Sequence, residues 1–209
     1  MSLKTINQIV SFMQLLYNIG MKKLFFILMF LFLSNSCFAD NGLLSKQAVA
    51  FYSDNNRQKT MDLILQINEK ERSAQDWLLL GNVFEDNGET DNAIFMYKKA
   101  IETDRKYYKA YYNLANIYSA KGQLDLAIEN YKKAIKYKYD NPYIYYNLAC
   151  VYITKEEYTK ARSNLNKAIM YKNDVPEFHY NLAYVYQKLN NKKFYLKYMY
   201  NYKQLTQNG

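Results

Sequence analysis

Apolar and polar positions in this chain recur with a period of 34 residues from Trp77 onward. Each period opens with a ring-bearing residue, at Trp77, Tyr111, Tyr145 and His179. Three residues later comes leucine, at Leu80, Leu114, Leu148 and Leu182, then glycine or alanine, and then an aromatic residue. The second half of the first period carries Ala93, Tyr97 and Ala100 at helical spacing, and the next two periods repeat this order with Leu165 in place of the third tyrosine. The pattern predicts two amphipathic helices per period, packed face to face.

Turn signals separate the two helices of each period. The position at which a left-handed residue ends the first helix is held by Gly88, Gly122, Glu156 and Asn190. The residues placed to cap the second helix are Asp91, Asp125 and Thr159. Asn141-Pro142 and Val175-Pro176 restart the chain, because proline is tolerated in the first turn of a helix and disfavours helix before it.

These columns resemble the tetratricopeptide repeat, and the resemblance covers about residues 74–190. It implies an all-α fold, a right-handed α-solenoid of helix-turn-helix repeats. The predicted repeats are 74–107, 108–141, 142–175 and 176–209, the last with a C-terminal capping helix. Residues 40–73 are predicted to be a degenerate N-terminal repeat or cap. There Ala48, Phe51, Ile64 and Ile67 fit the slots when one residue is dropped from the spacing.

In this family the first helix of each repeat lines the concave surface, so the resemblance implies a groove that binds a protein or peptide partner. The predicted partner-binding residues are Asn82, Tyr112, Asn113, Asn116, Tyr146, Asn147, Tyr180 and Asn181. Amides can pair with a peptide backbone, and tyrosine supplies rigid contact area at low entropic cost. The alternative is that Tyr-Asn at these slots is a common choice of the family and carries no specific partner.

The N-terminus has the layout of a secretory signal peptide over residues 1–39. Lys22-Lys23 precedes ten apolar residues, 24–33, and a small polar stretch leads to Ala39, after which cleavage is expected. Ten residues are too few to span a bilayer comfortably. Translation from Met21 is an alternative start, and lipidation at Cys37 an alternative to simple cleavage. We expect an exported chain that is periplasmic or associated with the cell envelope. The alternative is an exported chain held by a lipid anchor.

Charge is graded along the chain. Residues 1–39 hold three lysines and no acid, so their removal lowers the net charge from +9 to +6. Segment 74–107 has four basic and seven acidic residues, whereas 176–209 has five basic residues and one acidic residue. A basic C-terminal half can favour acidic partners or contact with a membrane surface, or it can simply be solvated. A helical-repeat nucleic-acid binder is the other alternative, but export and the acidic first repeat oppose it, so no nucleic acid is expected.

Catalytic and metal-binding signals are weak. The single histidine, His179, takes an aromatic slot of the repeat, and no clustered His/Cys set indicates a metal site. No glycine-rich phosphate loop is present, so we expect no cofactor and no enzyme. After cleavage Cys150 is the sole cysteine and cannot form an internal disulfide. The sequence therefore predicts a non-catalytic adaptor or assembly scaffold.

The last predicted helix has apolar residues around more than one face. Phe194 and Tyr198 stand at slots that are mixed or polar in the inner repeats. They are predicted to form an association surface for a second copy, a partner or a lipid headgroup layer. The alternative is a one-residue slip in the Asn190-Asn191 turn, which would rotate both rings into the core.

Overall fold

The computed structural model describes residues 21–207, together with residues 8, 11, 12, 14, 15 and 17. The described chain is helical and contains no strand. It divides into two compact units, Met1–Arg72 and Ser73–Gly209. Each unit is described by itself below.

The first unit contains α1 (Lys22–Ser53), α2 (Arg57–Gln66) and a 3₁₀ turn at Glu69–Glu71. Ala48, Ile64 and Ile67 are buried where the two helices pack. The Asn56 side chain caps α2 by accepting a hydrogen bond from the Lys59 amide at 3.1 Å. The role of this segment as a cap of the repeats stays a prediction.

The predicted leader overlaps α1, which runs through Ala39 without a break. Most of residues 1–20 lie outside the described residues, and so does the side chain of Cys37, the predicted lipidation position. Cleavage after Ala39, translation from Met21 and lipidation therefore stay predictions. In the described part of the chain, no helix combines the length and the apolar content that crossing a membrane requires.

The second unit is a row of helix pairs. The first helices of the pairs, called A helices here, are α3 (Ala74–Asp86), α5 (Tyr108–Ala120), α7 (Pro142–Thr154) and α9 (Pro176–Lys188). The second helices, called B helices, are α4 (Thr90–Thr103), α6 (Leu124–Tyr137), α8 (Tyr158–Tyr171) and α10 (Lys192–Gln207). Equivalent helices begin 34 residues apart, each B helix packs on the A helix before it, and the first three also pack on the A helix after them. The predicted all-α solenoid of helix pairs is confirmed.

The turn prediction holds at the backbone level. Gly88 and Gly122 have φ of 79° and 71°, in the left-handed region that glycine adopts without cost. Glu156 and Asn190 take the same conformation with φ of 59° and 55°. Helices α7 and α9 begin at Pro142 and Pro176, as predicted. The four turns therefore share one backbone geometry although only two contain glycine.

The predicted caps of the B helices are wrong. These helices begin earlier than expected, after Glu89, Gln123 and Glu157, and none of these three makes a side-chain cap. Asp91, Asp125 and Thr159 lie inside the first turn instead. The two aspartates each accept a hydrogen bond from a lysine of the following repeat, Lys121 at 3.1 Å and Lys155 at 2.8 Å. These aspartates therefore link repeats rather than end helices.

Small residues bring the paired helices together. The alanine columns of the B helices and Ala115, Ala149 and Ala183 of the A helices are fully buried. A Cβ added to Gly81, in the same column, would run into the Tyr97 ring. Burial of these columns removes apolar surface from water at every joint, which fixes the spacing of the A helices.

Candidate protein-binding face

The predicted partner-binding residues lie in a row on the A helices, and hydrogen bonds tie the row together. Asn147 Nδ2 donates to the Tyr112 hydroxyl at 3.0 Å and to Asn116 Oδ1 at 3.1 Å. One repeat earlier, Asn113 Nδ2 donates to Asn82 Oδ1 at 2.9 Å. We call this series of bonds between successive A helices the amide ladder. The structure thus brings together residues that the sequence places 31 and 35 positions apart.

The amide ladder continues to the last repeat with one substitution. Asn181 Nδ2 donates to the Tyr146 hydroxyl at 3.0 Å. Its second contact is the Cys150 sulfur at 3.6 Å, because Cys150 stands where Asn82 and Asn116 stand in earlier repeats. Tyr180 comes after the last rung and is 49% exposed, more than the half-buried Tyr112 and Tyr146. The tyrosine row therefore ends in an accessible ring.

Buried tyrosines of the B helices form hydrogen bonds to the asparagines of the amide ladder. The Tyr131 hydroxyl donates to Asn116 Oδ1 at 2.6 Å, and the Tyr97 hydroxyl lies 2.8 Å from Asn82 Oδ1. Burial raises the pKa of Tyr131, so its phenol acts as a neutral donor. Within the described chain, Nδ2 of Asn82 and Nδ2 of Asn116 donate no hydrogen bond, which leaves amide donors for a ligand.

The phenol rings of the row also pack on other aromatic rings, within one repeat or between two. The Tyr146 ring stacks on Phe178 with 4.8 Å between centroids, and Tyr112 lies 6.1 Å from Tyr131. Burial raises the pKa of Tyr146 to about 12. Tyr146 therefore joins neighbouring repeats through its ring, whereas Tyr112 joins them through the hydrogen bond that it accepts from Asn147. The Tyr180 ring contacts Tyr202 with 5.3 Å between centroids but is more exposed than either.

A pocket that the sequence did not predict opens between α7 and α9. Its volume is about 350 Å³, and it is lined by Cys150, Ile153, Thr154, Tyr180, Asn181 and Tyr184. Four of these, Cys150, Ile153, Thr154 and Tyr184, are missing from the predicted set. The aligned repeats do indicate an apolar change at this place, since Ile153 stands where the earlier repeats have Glu85 and Ser119. The row is thus polar in its first half and partly apolar near its end.

The Cys150 thiol is one wall of this pocket. Burial is the main cause that raises its pKa, with hydrogen bonds to Tyr146 and Asn181 opposing the change. The sulfur is therefore a neutral thiol near neutral pH, and a neutral thiol is a poor nucleophile. This position contributes packing to the pocket rather than reactivity.

His179 has the structural role that its column predicts. Its Nε2 lies 2.8 Å from the Asn173 carbonyl oxygen, and the ring stacks near Tyr198 with centroids 6.0 Å apart. The Tyr111 and Tyr145 hydroxyls donate to carbonyls at the same offset of six residues. His179 is thus the imidazole version of a repeated ring-to-carbonyl bond. Across the described residues, no group of His, Cys, Asp and Glu is arranged to hold a metal ion.

Sequence profiles of known families match most of the repeat region. A TPR repeat profile matches residues 115–155 and 151–190, and two tetratricopeptide repeat profiles match 96–129 and 76–107. The chain belongs to the tetratricopeptide-repeat family. Members of this family serve as protein-interaction modules. The helix pairs described above are therefore the repeats of this family, and the amide ladder lies on their A helices.

Solved structures of MamA have the same fold. A crystal structure of MamA superimposes with a TM-score of 0.69 at 20% identity, covering 77% of this chain and 95% of MamA. MamA from Desulfovibrio magneticus RS-1, residue 41 to the end, gives 0.70 at 13% identity, covering 81% and 96%. The MamA RS-1 ArsTM double mutant gives 0.71 at 14% identity with the same coverage. A search of curated proteins found no match.

Phe194 and Tyr198 of the last tetratricopeptide repeat are engaged within their own repeat. Both rings stack on Tyr186, with centroid distances of 4.9 Å and 5.6 Å. No slip occurs in the turn, because α10 begins 34 residues after α8 and Asn190 keeps the left-handed conformation. In α10 the buried alanines of the other B helices are replaced by Tyr195 and Tyr202, and no residue of this helix is fully buried. These larger side chains explain why Phe194 and Tyr198 take part in the packing against α9. The exposed apolar residues of α10 are instead Leu196 and Tyr200.

Proposed function

We propose that this chain is a non-catalytic adaptor or assembly scaffold that binds a protein segment along its A helices. The observation that carries the proposal is the amide ladder beside the Cys150–Tyr184 pocket. The ladder holds the A helices in register, so the surface is organised before a partner arrives, and preorganisation lowers the cost of binding. The fold shared with MamA and the family membership agree with an interaction role.

The bound segment is expected to be a peptide or helix with one bulky apolar side chain. The pocket near Tyr180 offers about 350 Å³ for that side chain, which is enough for a leucine or a phenylalanine. The unused Nδ2 donors of Asn82 and Asn116 lie two and one repeats upstream, where they can bond carbonyl groups of the segment. The predicted residues Tyr112, Asn113, Asn147 and Asn181 act mainly as the support of this surface.

Site-specific photocrosslinking in the native cell tests the proposal. A benzophenone amino acid at Tyr180 or Ile153 should give a discrete adduct with a partner protein. The same amino acid at Lys109 or Lys132, which are exposed and do not line the pocket, should not. Equal yields at all four positions, or no adduct at the pocket positions, would contradict binding on this face.

We further propose that the chain works outside the cytoplasm. The support is the Lys22-Lys23 segment, the apolar residues 24–33 and the small residues before Ala39. Mass spectrometry of the mature N-terminus is the test. A chain that begins at Asp40 supports cleavage, and a diacylated chain that begins at Cys37 supports the lipoprotein variant. Full-length protein in the cytosol would contradict both.

A further inference from the structure

The four turns between A and B helices lie along one edge of the repeat unit. They comprise residues 85–91, 119–125, 153–159 and 187–193, and we call them turns 1 to 4 of the turn edge. Lys121 bonds Asp91 across turns 1 and 2, and Lys155 bonds Asp125 across turns 2 and 3. Leu189 lines a small depression with residues 156–160, which places turn 4 beside turn 3. The order of the turns along the edge is therefore fixed by contacts.

Charge reverses from one end of the turn edge to the other. Turn 1 holds four acids and no base, Glu85, Asp86, Glu89 and Asp91. Turn 4 holds three bases and no acid, Lys188, Lys192 and Lys193. Two equivalent positions change sign outright, from Asp86 to Lys188 and from Asp91 to Lys193. All seven residues are exposed, so both ends of the edge face solvent.

The basic end has no acid of its own, and the nearest acids, Glu156 and Glu157, belong to the neighbouring turn 3. In the described residues, Lys188, Lys192 and Lys193 form no ion pair, and Lys188 only covers the Tyr184 ring at 5.5 Å. The single acid of the last repeat, Glu177, lies in the first turn of α9, whereas Lys188 ends that helix. Eleven residues of helix separate them by about 16 Å, which exceeds the screening length at physiological salt.

We infer that the turn edge binds a second copy of this chain in antiparallel orientation. A two-fold axis then places turn 4 of each copy against turn 1 of the other, so that both charged ends are matched at once. Turn 2 of one copy meets turn 3 of the other, which brings Lys121 near Glu156 and Glu157 of its neighbour. The same sequence supplies both complementary surfaces, and this self-complementarity is what selects a second copy as the occupant.

Such a dimer is expected to depend on salt. Its contacts are exposed charges, which set orientation and association rate more than they add affinity, and salt screens them. The purified protein, as isolated from cells, should be dimeric by light scattering or sedimentation at 50 mM salt. It should dissociate as the salt concentration rises toward 0.5 M, where the screening length falls below about 5 Å.

Charge reversal provides the decisive experiment. One variant carries Asp86→Lys and Glu89→Lys, and the other carries Lys188→Glu and Lys193→Glu. Each variant alone should dimerise at least about tenfold more weakly, because like charges then face each other at both ends. An equimolar mixture of the two variants should recover the dimer, because each variant presents the surface that the other lacks. The matched control, Lys109→Glu with Lys132→Glu, reverses as many charges elsewhere and should dimerise as the wild type does.

Several outcomes would overturn the inference: a monomeric wild type at 50 mM salt and 0.1 mM protein, two variants that stay dimeric, or a mixture that stays monomeric. Circular dichroism of each variant tests whether it is folded. Recovery of the dimer in the mixture is a second test, because only folded partners can associate. None of the substituted residues lines the pocket near Tyr180. The experiments on the dimer and the photocrosslinking on the A helices therefore test separate proposals, and either one can fail while the other succeeds.

Discussion

The Tyr131 hydroxyl donates a hydrogen bond of 2.6 Å to Asn116 Oδ1, joining the B helix and the A helix of one repeat. The first repeat has the same pair in Tyr97 and Asn82. In the third repeat both members change together, to Leu165 and Cys150. The joint change has a physical cause, because a tyrosine without the asparagine would leave its buried hydroxyl without this acceptor. The loss of this pair is also what makes the pocket near Tyr180 partly apolar.

Replacement of Tyr131 by Phe should lower the free energy of unfolding by about 1 kcal/mol, the usual net contribution of one hydrogen bond. The ring keeps its packing, so the loss measures the hydroxyl. Urea denaturation followed by circular dichroism gives the value. Tyr200→Phe is the control, since Tyr200 is 63% exposed, and it should change nothing. A Tyr131→Phe protein as stable as the wild type would show that the bond contributes nothing net.

Glu156 should be replaceable by glycine with a gain in stability. Its φ of 59° costs a non-glycine residue about 1–2 kcal/mol, and glycine holds the same place in the first two turns. Glu156→Gly is therefore expected to raise the unfolding free energy by about 0.5–1 kcal/mol after the entropy of the unfolded chain is counted. The reverse exchange, Gly122→Glu, should lower it, although a Cβ there meets no atom within 4 Å. If both variants melt at the same temperature as the wild type, the left-handed backbone does not set the stability of these turns.

The sequence predicts the helix pairs and the row of tyrosines and asparagines because both depend on spacing alone. The period of 34 places Tyr112 and Tyr146 at equivalent points of successive helices. Spacing does not reveal that these residues bond one another, since Asn147 meets Tyr112 only after the repeats stack. The pocket escaped prediction for the same reason. Its walls come from α7 and α9, and nothing in the spacing of Cys150 indicates a pocket.

The misplaced caps show a second limit of the sequence. Asp91 and Asp125 are residue types that cap helices well, and a helix starting two residues later would have used them. The left-handed turn residue sets the helix start instead, so these carboxylates fall in the first turn. There they favour the helix dipole and reach the lysines of the next repeat. Local residue preference was overridden by the geometry of the turn.

Partner binding should depend on Tyr180 more cleanly than on the other tyrosines. Tyr180→Ala removes an exposed ring at the mouth of the pocket and should weaken partner binding by about 1–2 kcal/mol, as an aromatic interface residue does. Its melting temperature should fall only slightly, because the ring is 49% exposed and contacts Tyr202 with 5.3 Å between centroids. Tyr146→Ala removes a ring stacked on Phe178 and should lower stability by about 2 kcal/mol. Calorimetry with the partner identified by crosslinking measures the loss of affinity, and thermal unfolding measures the loss of stability. Unchanged affinity in folded Tyr180→Ala would contradict the proposed face.

Cys150 offers a chemical probe of the same pocket. Because burial raises its pKa, the native thiol should react with iodoacetamide more slowly at pH 8 than the thiol of the unfolded chain. A bound partner should slow the reaction further by covering the sulfur. Rates are followed by mass spectrometry, with urea-unfolded protein as the reference. A native rate equal to the unfolded rate would show that the sulfur is not shielded as described.

Phe194 and Tyr198 should behave as packing residues when they are replaced together by Ser. Their rings stack on Tyr186, and truncation of two partly buried aromatic residues is expected to cost about 3 kcal/mol. The melting temperature should therefore fall by several degrees, with unfolding starting at the C-terminal repeat, where hydrogen exchange would speed up first. Leu196→Ser with Tyr200→Ser is the matched control, because these side chains are 55% and 63% exposed on the same helix. If the control falls as far as the test pair, α10 is covered by another surface. If neither falls and association is lost only with Phe194 and Tyr198, the rings contact a partner instead of Tyr186.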